Sequence, residues 1–453
     1  MNKTQTDTIN KKINTLKPKD FTKALQAFQE KITSEYATYL NSCVRCGLCA
    51  ESCHYFLAYK DLKSMPAYKL NLIMKVFKKY SSFAGNHFSF WFGAKEIKHH
   101  LIQEWIDNLF GRCSLCGRCF LNCTMGINIP YLIRAARNAL SSLDLVPPGL
   151  QSTITIALKT GNNMGITTDD WIETLDWLED ELEQDVEDQN VKIPLDIPNA
   201  KILYAINPRE AMFFPLSILA VAKIFYAAKE NWTFSSKNYD VTNYGFFIGD
   251  DKTAGKLAYP LVESMETLKC KDLILSECGH GFNSNRWEAS EWLSKKQNFD
   301  VKSIIQNVAE YIKTGRIKLD SSYYQKTLTL HDPCNLVRFG GIVEEQRFIL
   351  RQVTNNFVEM SPNRENNFCC GGGGGQLAMT RYADRRRKSG EVKAEQIRRT
   401  GADIVVAPCH NCVDQITELN KHYQLGVEIK TVCEIVADAL ILNRNTSSRP
   451  GKK

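Results

Sequence analysis

At 453 residues the chain is long enough for two or three domains, each with its own core. Its 43% apolar and 24% charged residues are the proportions of an ordinary globular protein, which excludes a disordered chain or a bundle of membrane spans. The formal charge of +7 counts sixteen thiols as neutral and the basic residues are dispersed, so it points to no nucleic-acid partner.

Met1 to Asp20 is polar and Lys-rich. With no apolar leader there, the chain is expected to stay in a reducing compartment, where clustered thiols bind metal rather than pair. Phe21, Ala24, Leu25, Phe28 and Ile32 recur at helical steps, which predicts an N-terminal helical segment over 1–40. Residues 41–150 follow as a helical ferredoxin domain with a long insertion over 54–112. It opens with Cys43-x-x-Cys46-x-x-Cys49-x-x-x-Cys53 and closes with Cys113-x-x-Cys116-x-x-Cys119-x-x-x-Cys123. Two-residue gaps let three thiolates wrap one face of a cubane, and in paired sites the fourth cysteine ligates the other cluster. Cys43, Cys46, Cys49 and Cys123 are therefore assigned to one 4Fe–4S cluster, and Cys113, Cys116, Cys119 and Cys53 to a second. Zinc is the competing reading, but no histidine stands at zinc-finger spacing. His54 and Thr124 stand where simple ferredoxins carry proline. The aromatic stretch Phe83 to Phe92 (FAGNHFSFWF) is expected to pack over this module, with docking to a membrane partner as the alternative. Asn128 to Leu140 reads as a helix stopped before Pro147-Pro148-Gly149.

Thr167 to Asp188 is acidic and amphipathic, and 151–198 reads as an exposed helical linker. From Lys201 short β-rich runs alternate with helices: KILYAI, LILSE, LTLHDP and DIVVAP mark strands, and helices are expected at Ser303–Thr314, Glu344–Thr354, Gln376–Thr400 and Val413–His422. Ala211 to Ala228 is apolar, but Pro215 and Lys223 interrupt it, so it reads as a buried helix rather than a span. Arg385 to Lys388 reads as a solvated helix face. The alternation runs twice. Tyr204 to Pro208 takes the place of Leu330 to Cys334, Asn243-Tyr244-Gly245 that of Cys369-Cys370-Gly371, and Leu273 to Cys278 that of Val405 to Cys409. The expected architecture is thus an α+β multi-domain chain, with the ferredoxin module followed by two pseudo-repeated α/β units, a degenerate one over 199–320 and an intact one over 321–445, and a tail at 446–453.

The intact unit carries Cys334, Cys369-Cys370, Cys409 and Cys412. Five thiolates exceed the four that one zinc or one cubane takes. Adjacent cysteines rarely bridge each other, yet can ligate two metals of one cluster. The run Gly371, Gly372, Gly373 tolerates positive φ, and its N–H groups can form a nest around cluster sulfides. The bland alternatives are buried free cysteines and a flexible linker. His331, three residues before Cys334, is a hydrogen-bond or proton donor near the site, or else a satisfied structural histidine. His410 lies between Cys409 and Cys412. Cys278 and His280 stand in the degenerate unit and face the same cleft if the units pack with pseudo-twofold symmetry. Cys270 and Cys433 have no spacing partner and read as core.

HDPCN at 331–335, FCCGGGGG at 368–375 and PCHNC at 408–412 resemble the cysteine-rich CCG domain. With both ferredoxin runs, the chain over about 40–440 is similar to the D subunit of heterodisulfide reductase and to iron–sulfur subunits of the Dsr, Tmc and Hmc redox complexes of sulfate reducers. The resemblance implies that Cys334, Cys369, Cys370, Cys409 and Cys412 hold one noncubane 4Fe–4S cluster. Disulfide cleavage or formation would occur there, fed by the two cubanes. It further implies a membrane-bound cytochrome b-type subunit and other complex subunits, hence a cytoplasmic, peripherally membrane-associated protein. With one complete set, the disulfide is expected on a small protein. The alternative keeps the clusters without catalysis, as in electron-transfer subunits of glycolate, lactate or glycerol-3-phosphate dehydrogenases with a flavoprotein partner.

Overall fold

A computed structural model describes residues 3–442. The tail set apart above at 446–453 lies outside the described residues. Three helices, Lys3–Asn14, Pro18–Gln29 and Ser34–Ser42, open the chain. Pro18 begins the second with its φ already preset, and the Asp20 carboxylate accepts from the Lys17 N–H at 2.8 Å to close the first turn. Ala24 and Phe28 are buried, with Phe28 against Trp105.

The segment 54–112 supplies much of the helical core rather than lying outside it. Leu70, Ile73 and Val76 of the helix Pro66–Ser81, and Leu101, Ile102 and Trp105 of the helix His99–Trp105, pack with Leu132, Ala136 and Leu140 of the helix Ile129–Ser141. The exception is the aromatic stretch. Phe90 is 92% and Trp91 84% exposed, so Phe83 to Phe92 does not pack over the module as expected. It lies on two short helices, Phe83–His87 and Ser89–Phe92, whose backbone is anchored while its rings point outward.

Two four-stranded parallel sheets follow. Strands β1 (Ile202–Ala205), β2 (Trp232–Thr233), β3 (Asp272–Leu275) and β4 (Asp300–Ser303) lie in the order β2-β1-β3-β4. Strands β5 (Leu328–Leu330), β6 (Phe357–Val358), β7 (Ile404–Val406) and β8 (Glu428–Lys430) lie in the order β6-β5-β7-β8. The central strands are short, mostly apolar runs, and β1, β5 and β7 are buried throughout while β3 is buried past Asp272, as parallel strands covered on both faces must be. Ala205 pairs with Leu275, and Leu330 with Val406. Levelled by these registers, Cys278 and Cys409 each stand three residues past the end of the third strand of their sheet. Pro208 then falls level with Pro333, and Arg209 with Cys334. The sequence-based pairing of Pro208 with Cys334 is one residue out, because the hydrogen-bond ladder rather than residue identity sets the register.

The helix Thr168–Val186 is capped by Thr167, which accepts from the Asp170 N–H at 3.1 Å. It is less exposed than its acids suggest. Trp171, Leu175, Leu178 and Leu182 are buried in the same core as β1 and β3. The apolar segment after β1 breaks at Phe214, and Pro215 starts a buried helix to Ala227. No helix among the described residues is long and apolar enough to cross a membrane. Cys270 and Cys433 are core residues of the α/β region.

Two further expectations change. Gln376 to Thr400 is not one helix: two 3₁₀ turns precede the helices Ala383–Ser389 and Glu391–Arg398. The Gln376 amide is drawn away to the carbonyls of Phe110 and Cys113. The basic run is paired rather than solvated. Arg385 meets Asp107, and Arg386 and Arg387 share Glu418.

Candidate metal centre

The two cysteine runs fold alike. Arg45 and Gly47, and likewise Leu115 and Gly117, take positive φ on either side of the second cysteine. The left-handed residues coil each run so that its thiols converge. One cavity is lined by Cys43, Cys46, Cys49 and Cys123 with Leu70 and Ile127. A second is lined by Cys53, Cys113, Cys116 and Cys119 with Tyr55 and Ile133. These are the quartets that the spacing assigned. Burial pushes the Cys49 thiol up to about 11 and raises those of Cys113 and Cys119, so thiolates here call for strong positive charge against them.

The two quartets differ in exposure, which their spacing did not reveal. Cys46 is exposed, and Val44, Leu48 and Met125 form an open apolar rim beside it. The second quartet is covered by the second α/β unit. Arg338 donates to the Cys116 carbonyl at 3.0 Å, Arg118 donates to the Asn366 carbonyl at 2.7 Å, and the Phe339 ring lies over Gly117.

Behind that cover lie the five cysteines. Cys334 begins the turn Cys334–Val337 after β5, Cys369 and Cys370 lie on the glycine loop, and Cys409 and Cys412 open the helix His410–Tyr423 after β7. All five are buried. The sulfurs of Cys370 and Cys412 are 3.3 Å apart. The Gly371 N–H donates to Cys369 Sγ at 3.3 Å, and the Gly372 N–H to Cys370 Sγ at 3.4 Å. Hydrogen bonds from neighbouring thiols pull Cys369 (from Cys116, then Cys334) and Cys370 (from Cys369, then Cys412) below the usual thiol value. The glycines also allow a close approach. A Cβ on Gly374 would lie 2.7 Å from the Ser114 backbone, so only glycine lets this loop rest on the second cysteine run.

The loop brings the two cysteine systems together. Cys116, Cys369 and His54 offer ligand atoms that all lie within 4.8 Å of one another. His54, the odd residue of the first run, donates from Nδ1 to the Ser389 carbonyl at 3.2 Å. Its Nε2 then accepts from Ser114 Oγ at 3.0 Å, and that oxygen lies 3.5 Å from Cys369 Sγ. Burial keeps His54 neutral, with a pKa of about 3.

His331 stands within the same 4.8 Å of Cys370 and Cys412. Its tautomer is set by a chain that the sequence did not signal. Lys393 Nζ donates to Asn367 Oδ1 at 2.7 Å, and Asn367 Nδ2 donates to His331 Nδ1 at 3.3 Å. The proton therefore sits on Nε2, which is buried and has no partner. Burial first, then Lys393, hold this imidazole neutral, so it offers a hydrogen bond rather than an imidazolium proton. Burial also brings Lys393 down to about 7.

Cys278 and His280 come to the site from the first α/β unit, behind Cys409. The Gly279 N–H bonds to Cys409, and Asn411 Nδ2 donates to His280 Nδ1 at 3.2 Å. Cys278 Sγ is 3.5 Å from that same nitrogen. His410 faces away from the thiols, toward Ser217 and the Glu277 carbonyl.

The donors fit an iron–sulfur group. Five buried thiols converge beside two glycine N–H groups. Both amide atoms of Gln415, together with His331 Nε2, His280 Nε2 and Asn411 Oδ1, are buried without partners around them. Gln415, Asn367 and Lys393 carry no sequence signal. Arg137 does, as a charge on the apolar face of the helix Ile129–Ser141.

Comparison with known proteins agrees with this donor set. Residues 328–417 match the cysteine-rich (CCG) domain, and residues 39–127 match the 4Fe-4S dicluster domain. The chain is 28% identical to the Hdr-like menaquinol oxidoreductase iron-sulfur subunit of Archaeoglobus profundus, over 92% of this chain and 83% of that protein. It is 27% identical to the corresponding iron-sulfur subunit 2 of Archaeoglobus fulgidus, over 93% and 83%. It is 26% identical to the D subunit of the dihydromethanophenazine:CoB--CoM heterodisulfide reductase of Methanosarcina barkeri, over 91% and 97%.

Proposed function

We propose that this chain, a CCG-domain iron–sulfur protein resembling the heterodisulfide reductase D subunit, is the iron–sulfur subunit of a membrane-associated oxidoreductase complex and performs thiol–disulfide chemistry at its five-cysteine site. Cys43, Cys46, Cys49 and Cys123 would hold one cubane, Cys53, Cys113, Cys116 and Cys119 a second, and Cys334, Cys369, Cys370, Cys409 and Cys412 a noncubane 4Fe–4S cluster. When bound, such groups would supply one-electron transfer and, at the five-cysteine site, iron with affinity for a substrate sulfur.

The observation that carries this reading is the contact of Cys116 with Cys369. It gives the sites an order. Cys46 is exposed and open to a redox partner, the second quartet is half-buried, and the fully buried five-cysteine site lies beyond it. With the clusters held by these cysteines, the exposed rim beside Cys46 would be the side that exchanges electrons with a partner, and the five-cysteine site the side that meets the disulfide. Reducing a disulfide takes two electrons and two protons and yields two thiols, whereas each cubane passes one electron at a time. The residues around the site serve that mismatch. Gly371 and Gly372 donate to sulfur, and His331, beside Cys370 and Cys412, keeps an unpartnered Nε2–H. The first α/β unit, with its matching strand order, is read as a degenerate copy. Cys278 and His280 are the remnant of its own site and wall one side of the intact one.

Two relatives are named for menaquinol. By analogy the electrons would come from a membrane quinol through a cytochrome b-type partner, and the disulfide would sit on a small protein. A second reading keeps the clusters and drops the catalysis, as in a relay protein paired with a flavoprotein. The burial of all five cysteines favours it. Electron paramagnetic resonance on oxidised, thiol-treated protein separates the two. Catalysis predicts a substrate-dependent paramagnetic signal that Cys369→Ser abolishes. A relay predicts no such signal in the intact protein.

A further inference from the structure

The insertion between the cysteine runs carries a surface that the redox reading leaves unused. On the helices Phe83–His87 and Ser89–Phe92 and at Phe88 between them, the side chains of Phe83, Phe88, Phe90, Trp91 and Phe92 are all exposed. The exposure is built into a fixed protrusion. Ser82 caps the first of these helices by accepting from the Gly85 N–H at 3.1 Å. Lys79 Nζ donates to the Asn86 carbonyl at 3.0 Å and to Ser89 Oγ at 2.9 Å. A Cβ on Gly85 would fall 2.0 Å from the Lys78 carbonyl, so the turn is pressed against the preceding helix. The Lys95 N–H donates to the Lys75 carbonyl at 2.9 Å and closes the base.

The charges around it have one sign. Residues 75–100 contain five lysines, one glutamate and no arginine. Glu96 pairs with Lys79 and Lys98, and no carboxylate pairs with Lys75, Lys78 or Lys95 among the described residues.

We propose that this protrusion is a lipid anchor. Phe90 and Trp91 enter the headgroup region of an anionic bilayer, while Lys75, Lys78 and Lys95 meet lipid phosphates. Large exposed aromatic rings are unfavourable in water and gain by entering the interface, where tryptophan and phenylalanine collect. Lysines beside them add attraction to anionic lipid. A protein partner is the poorer match, because protein interfaces are enriched in arginine and depleted of lysine. The inference goes beyond the proposed function: the chain itself touches lipid, whatever subunits accompany it, and cluster chemistry plays no part.

The test is co-sedimentation of the full-length, anaerobically purified protein with protein-free vesicles. They are made of phosphatidylcholine alone or with about a third phosphatidylglycerol. The wild type binds the anionic vesicles, and binding falls as salt rises. The F90S/W91S variant binds them at least about tenfold more weakly, K78Q/K95Q loses several-fold, and Trp287→Ser, an exposed tryptophan elsewhere, binds as wild type. Absence of wild-type binding at low salt overturns the proposal, as does undiminished binding by F90S/W91S. Binding only to vesicles that carry membrane proteins also overturns it and assigns the patch to a protein partner.

Discussion

Replacing Arg137 by methionine should lower the stability of the folded protein by about 3–5 kcal/mol. Arg137 is fully buried over the Phe110 ring, and its hydrogen-bond partners are all carbonyls. Nε and Nη2 donate to Leu109 O at 3.2 and 2.7 Å, Nη2 also reaches Cys113 O at 2.9 Å, and Nη1 donates to Phe247 O at 2.7 Å and Gly374 O at 3.1 Å. One side chain thus ties together the π-helical turn Ile106–Phe110, the second cysteine run, the first α/β unit and the glycine loop. Methionine fills the volume but takes the guanidinium donors away from the carbonyls of Leu109, Phe247 and Gly374, while the Cys113 carbonyl keeps only the Gln376 amide. Lysine at this position cannot reproduce the planar fork and should recover little. The measurement is the anaerobic urea midpoint, with Arg399→Met as the surface comparison. Arg399 is exposed and, among the described residues, its side chain pairs with Glu395 alone, so that change should stay within about 0.5 kcal/mol. Similar midpoints for the two variants would remove Arg137 from its role as the tie.

Gly374→Ala should separate the cysteine systems while leaving each intact. Gly374 has φ +65, which costs a residue with a Cβ about 1 kcal/mol. The larger effect is steric: the new Cβ meets Ser114 backbone, which cannot move aside. The loop must lift, and Cys369 leaves Cys116. In reduced wild-type protein, paramagnetic centres this close should show magnetic coupling, and Gly374→Ala should weaken or abolish it. Gly426→Ala is the control, with φ +70 but open space around it, so it carries the strain without the clash. Coupling lost equally in both variants, or kept in both, would contradict the docking role of the glycine loop.

These two residues show where the sequence was readable. Cysteine spacing groups the thiols as the two cavities do, with Cys53 beside Cys113, Cys116 and Cys119, and Cys123 beside Cys43, Cys46 and Cys49. The four central strand runs are also plain, since buried parallel strands need short apolar stretches, whereas the short or polar edge strands β2, β4, β6 and β8 gave no such run. What stays hidden depends on approach between distant segments. His54 looked like a mere departure from ferredoxin pattern until the fold placed it beside Cys369. Asn367 and Lys393 have no motif, since their role is to orient His331. The glycine run suggested a nest, and two of its N–H groups do meet sulfur, but its contact with Ser114 required the folded chain. The aromatic stretch misled because apolar residues usually mean core, whereas here a capped protrusion holds them in solvent.

The central claim is that the five thiols hold a cluster of their own beside the two cubanes. Its most direct test is iron bound per chain after anaerobic reconstitution, compared between wild type and the triple variant C369S/C370S/C412S. Three 4Fe–4S clusters predict about 12 iron atoms in the wild type and about 8 in the variant. A wild-type protein that saturates at about 8, with no further loss in the variant, would contradict the claim.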